Sequence, residues 1–131
     1  MDLPLTGPEG PAARPALNGI RFFVQQHPRL DGFDVSITSA DDAGGGMPNP
    51  QLGASNVAAF IEDPALVAMI GPFDSSVARK EVPVANAAAL AMVSPSASSP
   101  CLPRTPSCRP PWTRPATRSR ARRPGSRPHP R

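Results

Sequence analysis

"LVAMIGPFDSSVARKEVPVANAAALAMVSPSAS", residues 66–98, holds two short apolar runs, each ending in a serine-rich turn, with an alanine-rich stretch between them. Residues 66–70 are continuously apolar and stop at Gly71, the pattern of a strand buried on both faces. "LAMVS", residues 90–94, repeats that pattern and is halted by Pro95. Between them "DSSVARKEVPVANAAA" is helical in its alanine content, with Asp74 or Ser75 as its cap and Pro83 as a kink or early stop. Strand, helix and strand in that order predict two parallel neighbours joined through a covering helix.

Working back toward the N-terminus extends the alternation. "NPQLGASNVAAFIEDP", residues 49–64, predicts a helix capped by Asn49 with Pro50 at its first position and Leu52, Val57, Ala58, Phe60 and Ile61 inward. Before it, "GFDVSITSADD" has period two, with Phe33, Val35 and Ile37 on one face of a strand and Asp34, Ser36 and Thr38 on the other. "DDAGGGMPNP" is a glycine and proline loop. Its paired Asp41 and Asp42 read as solvated or capping residues, because no further ligand follows at calcium-loop spacing. Ala13, Ala16, Leu17, Ile20, Phe23 and Val24 recur at three and four residues and predict the first helix. Phe22 widens its stripe, Pro15 suits its first turn, His27 lies at its end and Pro28 stops it. The expected class is α/β, a three-layer parallel sheet flanked by helices.

The 131-residue chain is two chains in composition. Residues 1–99 hold all ten acidic residues and five basic ones, a net charge of −5, whereas residues 100–131 hold nine arginines and no acid. Nine of the twenty prolines also fall in that tail, and after Leu102 it has no Leu, Ile, Val, Met or Phe. Such a segment has little apolar surface to offset the entropy of ordering it, so disorder is expected from about residue 103. The overall charge of +4 therefore comes from the tail and gives no reason to expect specific nucleic-acid binding by the body. GC-rich coding DNA read out of register yields this mixture of Arg, Pro, Ser and Ala. The abrupt onset inside a domain favours that account over a basic arm that touches nucleic acid or anionic lipid.

No run is long enough to span a membrane, and the opening "MDLPLTGPEG" has an acid where a signal peptide would have a basic region. Cys101 and Cys108 can form a disulfide and are too few for a zinc site. No G-x-S-x-G elbow, phosphate loop or G-x-G-x-x-G follows a strand, and the histidines are His27 and His129 alone. No enzyme, cofactor or metal is expected. Ligands of open α/β sheets bind beyond the carboxyl ends of the strands, which here carry "IGPFDSS" and "SPSAS". A helix beginning near Ser75 would aim free amides and its positive end there, a setting for a carboxylate, with Ser76, Ser94, Ser96 and Ser98 adding hydroxyls. Ordinary capping and turn serines are the competing reading.

With those residues placed, the chain resembles the substrate-binding proteins of branched-chain amino acid ABC transporters, which have the type I periplasmic-binding-protein fold. The resemblance rests on "LPLTGPEG", "NGIRFFVQQ", "DVSITSADDAGGGMPNPQLGASNVAAFIED", "LVAMIGPFDSS" and "VPVANAAALAMVSPSASSP", in family order over residues 3–102. It implies an incomplete N-terminal lobe over residues 1–102, a small amino acid or similar metabolite as ligand, a transporter permease as partner and an extracytoplasmic location. By motif position, Ser75 would give a hydroxyl to the ligand carboxylate and Ser96 a backbone carbonyl to its ammonium. Ser98 stands where a threonine commonly contributes, Ser76 and Ala97 are neighbours, and Ala12 falls near a position that often carries an aromatic. The resemblance also implies a first strand ahead of "LPLTG" and a second lobe, neither of which is recognisable here, so weak or absent ligand binding is expected. A ligand-sensing domain of a receptor or kinase, and a nucleic-acid-binding protein acting through its tail, are the alternatives.

Overall fold

Asp2 and Leu3 form a strand of two residues, β1, whose side chains leave opposite faces and thereby set the layers. The computed structural model describes residues 1–102, and the expectations for residues 103–131 lie outside the described residues. After β1 come α1 (Gly10–Gln26), β2 (Arg29–Leu30), β3 (Phe33–Asp34), β4 (Ala40–Asp41), β5 (Ala43–Gly44) and β6 (Met47–Pro48). They are followed by α2 (Pro50–Ile61), β7 (Ala68–Ile70), α3 (Ser75–Ala87) and β8 (Ala91–Val93).

β1 and β4 pair in parallel, as do β7 and β8, with Ala68, Met69 and Ile70 opposite Ala91, Met92 and Val93. The two pairs abut where Gly71 meets β1: a Cβ on Gly71 would lie 2.2 Å from the Asp2 carbonyl oxygen. Gly71 also has a φ of 132°, so both the contact and the backbone require glycine there. Leu3 packs with Met1, Ala13 and Leu17 under α1, joined by Ile37, Ile70 and Phe73. Met69 packs on the other side with Val57 of α2 and Ala85 of α3. The paired strands thus lie between α1 and the α2–α3 layer, the expected three layers.

Several local expectations hold for identifiable reasons. Asn49 Oδ1 accepts from the amides of Gln51 and Leu52, and Pro50 opens α2 without a donor to satisfy. Asp74 caps α3 in the same way, and His27 ends α1 with its amide turned back to Phe23 and Val24.

Other expectations need correction. The first strand is present: Met1 and β1 take bonds from Ala40 and Asp42, and the Met1 ammonium donates to Thr38 O. The run from Phe33 to Thr38 is not one alternating strand. Asp31 and Gly32, with φ of 49° and 91°, make a two-residue turn that folds β3 back on β2, leaving Phe33 77% exposed and only Ile37 of the predicted set against the core. α1 begins at Gly10, placing Pro15 in the second turn, on an exposed position. Phe22 and Phe23 are also exposed, and Phe23 instead packs against the His27 ring. Ala58 faces outward, and Pro83 is accommodated inside α3. β7 and β8 are not fully buried on both faces: Val67 is 89% and Val93 67% exposed, because Met69 and Met92 pack toward α2 and α3 while on the α1 side Ile70 is the residue of this pair that meets the core. Cys101 is disulfide-bonded.

Candidate ligand-binding site

The loop after β7 and the loop after β8 reach the N-terminal end of α3 together. The Asp74 carboxylate accepts from the Ser76 amide at 2.6 Å, fixing the first turn and leaving Ser75 half-buried at its start. Ser94, at the end of β8, uses its hydroxyl three ways: it donates to Pro72 O at 2.6 Å and accepts from the amides of Ala97 at 2.7 Å and Ser96 at 3.2 Å. The Ser99 amide closes the arrangement by donating to Ser75 Oγ at 3.3 Å. A hydroxyl that accepts this bond still has a proton to donate, at the positive end of α3.

The structure therefore places Ser75 beside the loop that carries Ser96 and Ala97: the amides of Ser96 and Ala97 are tied to Ser94, the Ser99 amide of the same loop reaches Ser75, and exposed Ser98 lies between Ala97 and Ser99. Ser76 is exposed and holds its cap through the backbone. Ala12 lies exposed in the first turn of α1, its amide on Glu9 O, and among the described residues no hydrogen bond ties it to the serine loops.

The first loop is fixed by Asp41. Its carboxylate accepts from the Leu5 amide at 2.8 Å, the Thr6 hydroxyl at 2.7 Å and the Ala43 amide at 3.0 Å. Burial pushes the Asp41 pKa up, but the bonds from Thr6, Ala43 and Leu5 outweigh it and hold the group below its usual value.

Asp42 behaves oppositely, and its reading as a solvated loop residue is corrected. It is fully buried with Asp2 and Glu81, each at 0% exposure, and one oxygen from each of the three lies within 4.8 Å of the others. Asn56 donates to Asp2 Oδ1 at 2.9 Å, and the other five carboxyl oxygens meet no donor. Burial, then the charges of Asp2 and Asp41, push Asp42 up to about 7. Burial, then the contact with Asp2, push Glu81 up to about 9, and burial also raises Asp2. While both are ionised, Asp2 and Glu81 offer each other only acceptors; a proton on Glu81 turns their contact into a hydrogen bond.

Glu81 escaped the sequence reading although a signal existed. It lies four residues after Val77 and four before Ala85, both buried, so a charge stands on the apolar stripe of α3. Gly53 of α2 makes the room, since a Cβ there would lie 2.5 Å from Glu81 Oε1.

No protein-family model matches the chain, and no curated protein does. Solved structures do. One, a protein assigned to branched-chain amino acid ABC transport from Rhodospirillum rubrum, superposes with a TM-score of 0.68 at 24% identity over 77% of this chain. Another, an ABC transporter substrate-binding protein from Desulfitobacterium hafniense in complex with Leu, gives a TM-score of 0.60 at 22% identity over the same share. The chain spans 29% of the length of each. The fold is thus that of a type I periplasmic-binding protein over part of its length, in agreement with the resemblance noted in the sequence.

Proposed function

We propose that residues 1–102 supply one lobe of a solute-binding protein that captures a small amino acid, branched-chain or similar, for an ABC-type permease outside the cytoplasm. The reading is supported most by the serine unit at the start of α3, where the Ser75 hydroxyl, the Ser99 amide and the Ser94-closed turn converge. In this proposal the ligand carboxylate takes the Ser75 hydroxyl and the end of the α3 dipole, and its ammonium takes the Ser96 carbonyl. The Ser96 amide is already committed to Ser94, which leaves the carbonyl for that role. Ser98 contributes from the rim, with Ser76, Ala97 and Ala12 as neighbours. The site binds and releases without making or breaking a covalent bond. Residues 103–131 take no part in it. The comparisons lend no support to a sensing domain or a nucleic-acid-binding protein.

A single lobe contacts one side of a ligand, so affinity for leucine is expected to be roughly millimolar or weaker, about −4 kcal/mol. Titration of leucine into the isotopically labelled chain, followed by amide NMR, should shift the signals of residues 75–77 and 96–99. Ser75→Ala should abolish those shifts. Shifts confined to other residues, or unchanged in Ser75→Ala, would refute the assignment.

A further inference from the structure

We propose that Asp2, Asp42 and Glu81 form a structural site for a calcium-sized divalent cation buried between β1, the turn after β4, and α3. Three observations carry the assignment. The three side chains are fully buried, and five of their six oxygens meet no donor. Burial without such partners is among the costliest arrangements a protein can adopt. Among the described residues no lysine or arginine forms an ion pair with the trio, and the ion pair there is the exposed one between Arg29 and Asp34. The Met1 ammonium is the positive charge acting on Asp2 and Glu81, and it is bonded to Thr38 O.

The spacing favours the larger ion. Oxygens within 4.8 Å of one another all lie within about 2.8 Å of a common centre, so a shift of a few tenths of an ångström brings them to about 2.4 Å, a calcium–oxygen distance, whereas magnesium demands about 2.1 Å and a larger closure. An all-carboxylate donor set is hard and suits such an ion. The surroundings are shaped for it as well: Asn56 holds Asp2 Oδ1 and also donates to Asp41 O at 3.2 Å, while Gly53 leaves the Glu81 carboxylate its place. A cation here would tie the β1–β4 pair to α3 and so to the α2–α3 layer, a structural role separate from the serine site.

The alternative neutraliser is a set of shared protons, and the test separates the two. The full chain is stripped with chelator, then melted at pH 7.5 with and without 1 mM calcium or magnesium, alongside Asp42→Asn and Glu81→Gln. Calcium should raise the wild-type midpoint by about 5 °C or more, magnesium by less, and neither variant should respond. Calorimetry should give one calcium per wild-type chain. The proposal is overturned if calcium leaves the wild type unmoved, which assigns the trio to protons, or if it stabilises the variants equally. Both variants keep the shape of the side chain and remove one charge, so they remain foldable comparators.

Discussion

The serine loops and the carboxyl trio sit in the same small fold and treat polar groups in opposite ways. In the loops, the Ser94 hydroxyl alone satisfies one carbonyl and two amides. In the trio, three acidic groups are buried with a single donated bond from Asn56. Adjacent Asp41 and Asp42 show the difference at its sharpest: one is held below its usual pKa by three neighbours, the other is driven up to about 7 by burial. Residue type therefore says little about role here; the supply of donors decides it.

The largest effect is expected where the two regions meet. Gly71→Ala would place a methyl group against the Asp2 carbonyl and force a residue with a side chain to a φ of 132°. A loss of about 3 kcal/mol or more, or failure to fold, should appear in urea denaturation. A near-neutral result would mean that the two strand pairs do not abut as described.

A smaller effect should appear in the pH dependence of stability, measured in chelator. Asp42 and Glu81 have folded-state pKa values above those of the unfolded chain, so between the two values the folded form holds more protons. Their contribution is therefore most favourable in mild acid and is lost as pH rises through about 7 and then about 9. Glu81→Gln should flatten the upper part of that fall. Asp41, held low, acts in the other direction and weakens the fold only below the ordinary carboxylate range of about pH 4. A profile that rises from pH 6 to pH 9 would contradict the description of the trio.

The smallest effect belongs to the loops. Ser94→Ala leaves the Ala97 and Ser96 amides and the Pro72 carbonyl without their partner. Because Ser94 is exposed, water replaces much of the loss, and a cost of about 1 kcal/mol is expected, with faster hydrogen exchange confined to residues 94–99. Exchange that spreads into β7 and β8 would show that the loop supports the sheet as well as the site.

How much of this was legible in the sequence follows from how local each determinant is. Asn49, Pro50 and Asp74 act within three residues of themselves, and each does what its type and position predict. The order of helices and paired parallel strands was equally readable, since it depends on apolar runs. The Asp31–Gly32 turn was visible in principle but was read through, because the alternation after it gave the stronger pattern. Exposure of Val67 and Val93 was not readable, because a strand's burial depends on what else covers it. The serine site was legible as two loops, while the bond from Ser99 to Ser75 spans 24 residues and follows only from the parallel pairing of β7 and β8. The trio joins residues 2, 42 and 81, a spacing no local motif encodes.

Ser94 has a consequence for the timing of events in any binding that occurs here. By bridging the end of β8 to Pro72 while closing its own turn, it fixes both loops as the chain folds. The rotational freedom those loops would otherwise surrender on meeting a ligand has already gone, so association should need no slow rearrangement and its rate should approach that of a rigid receptor.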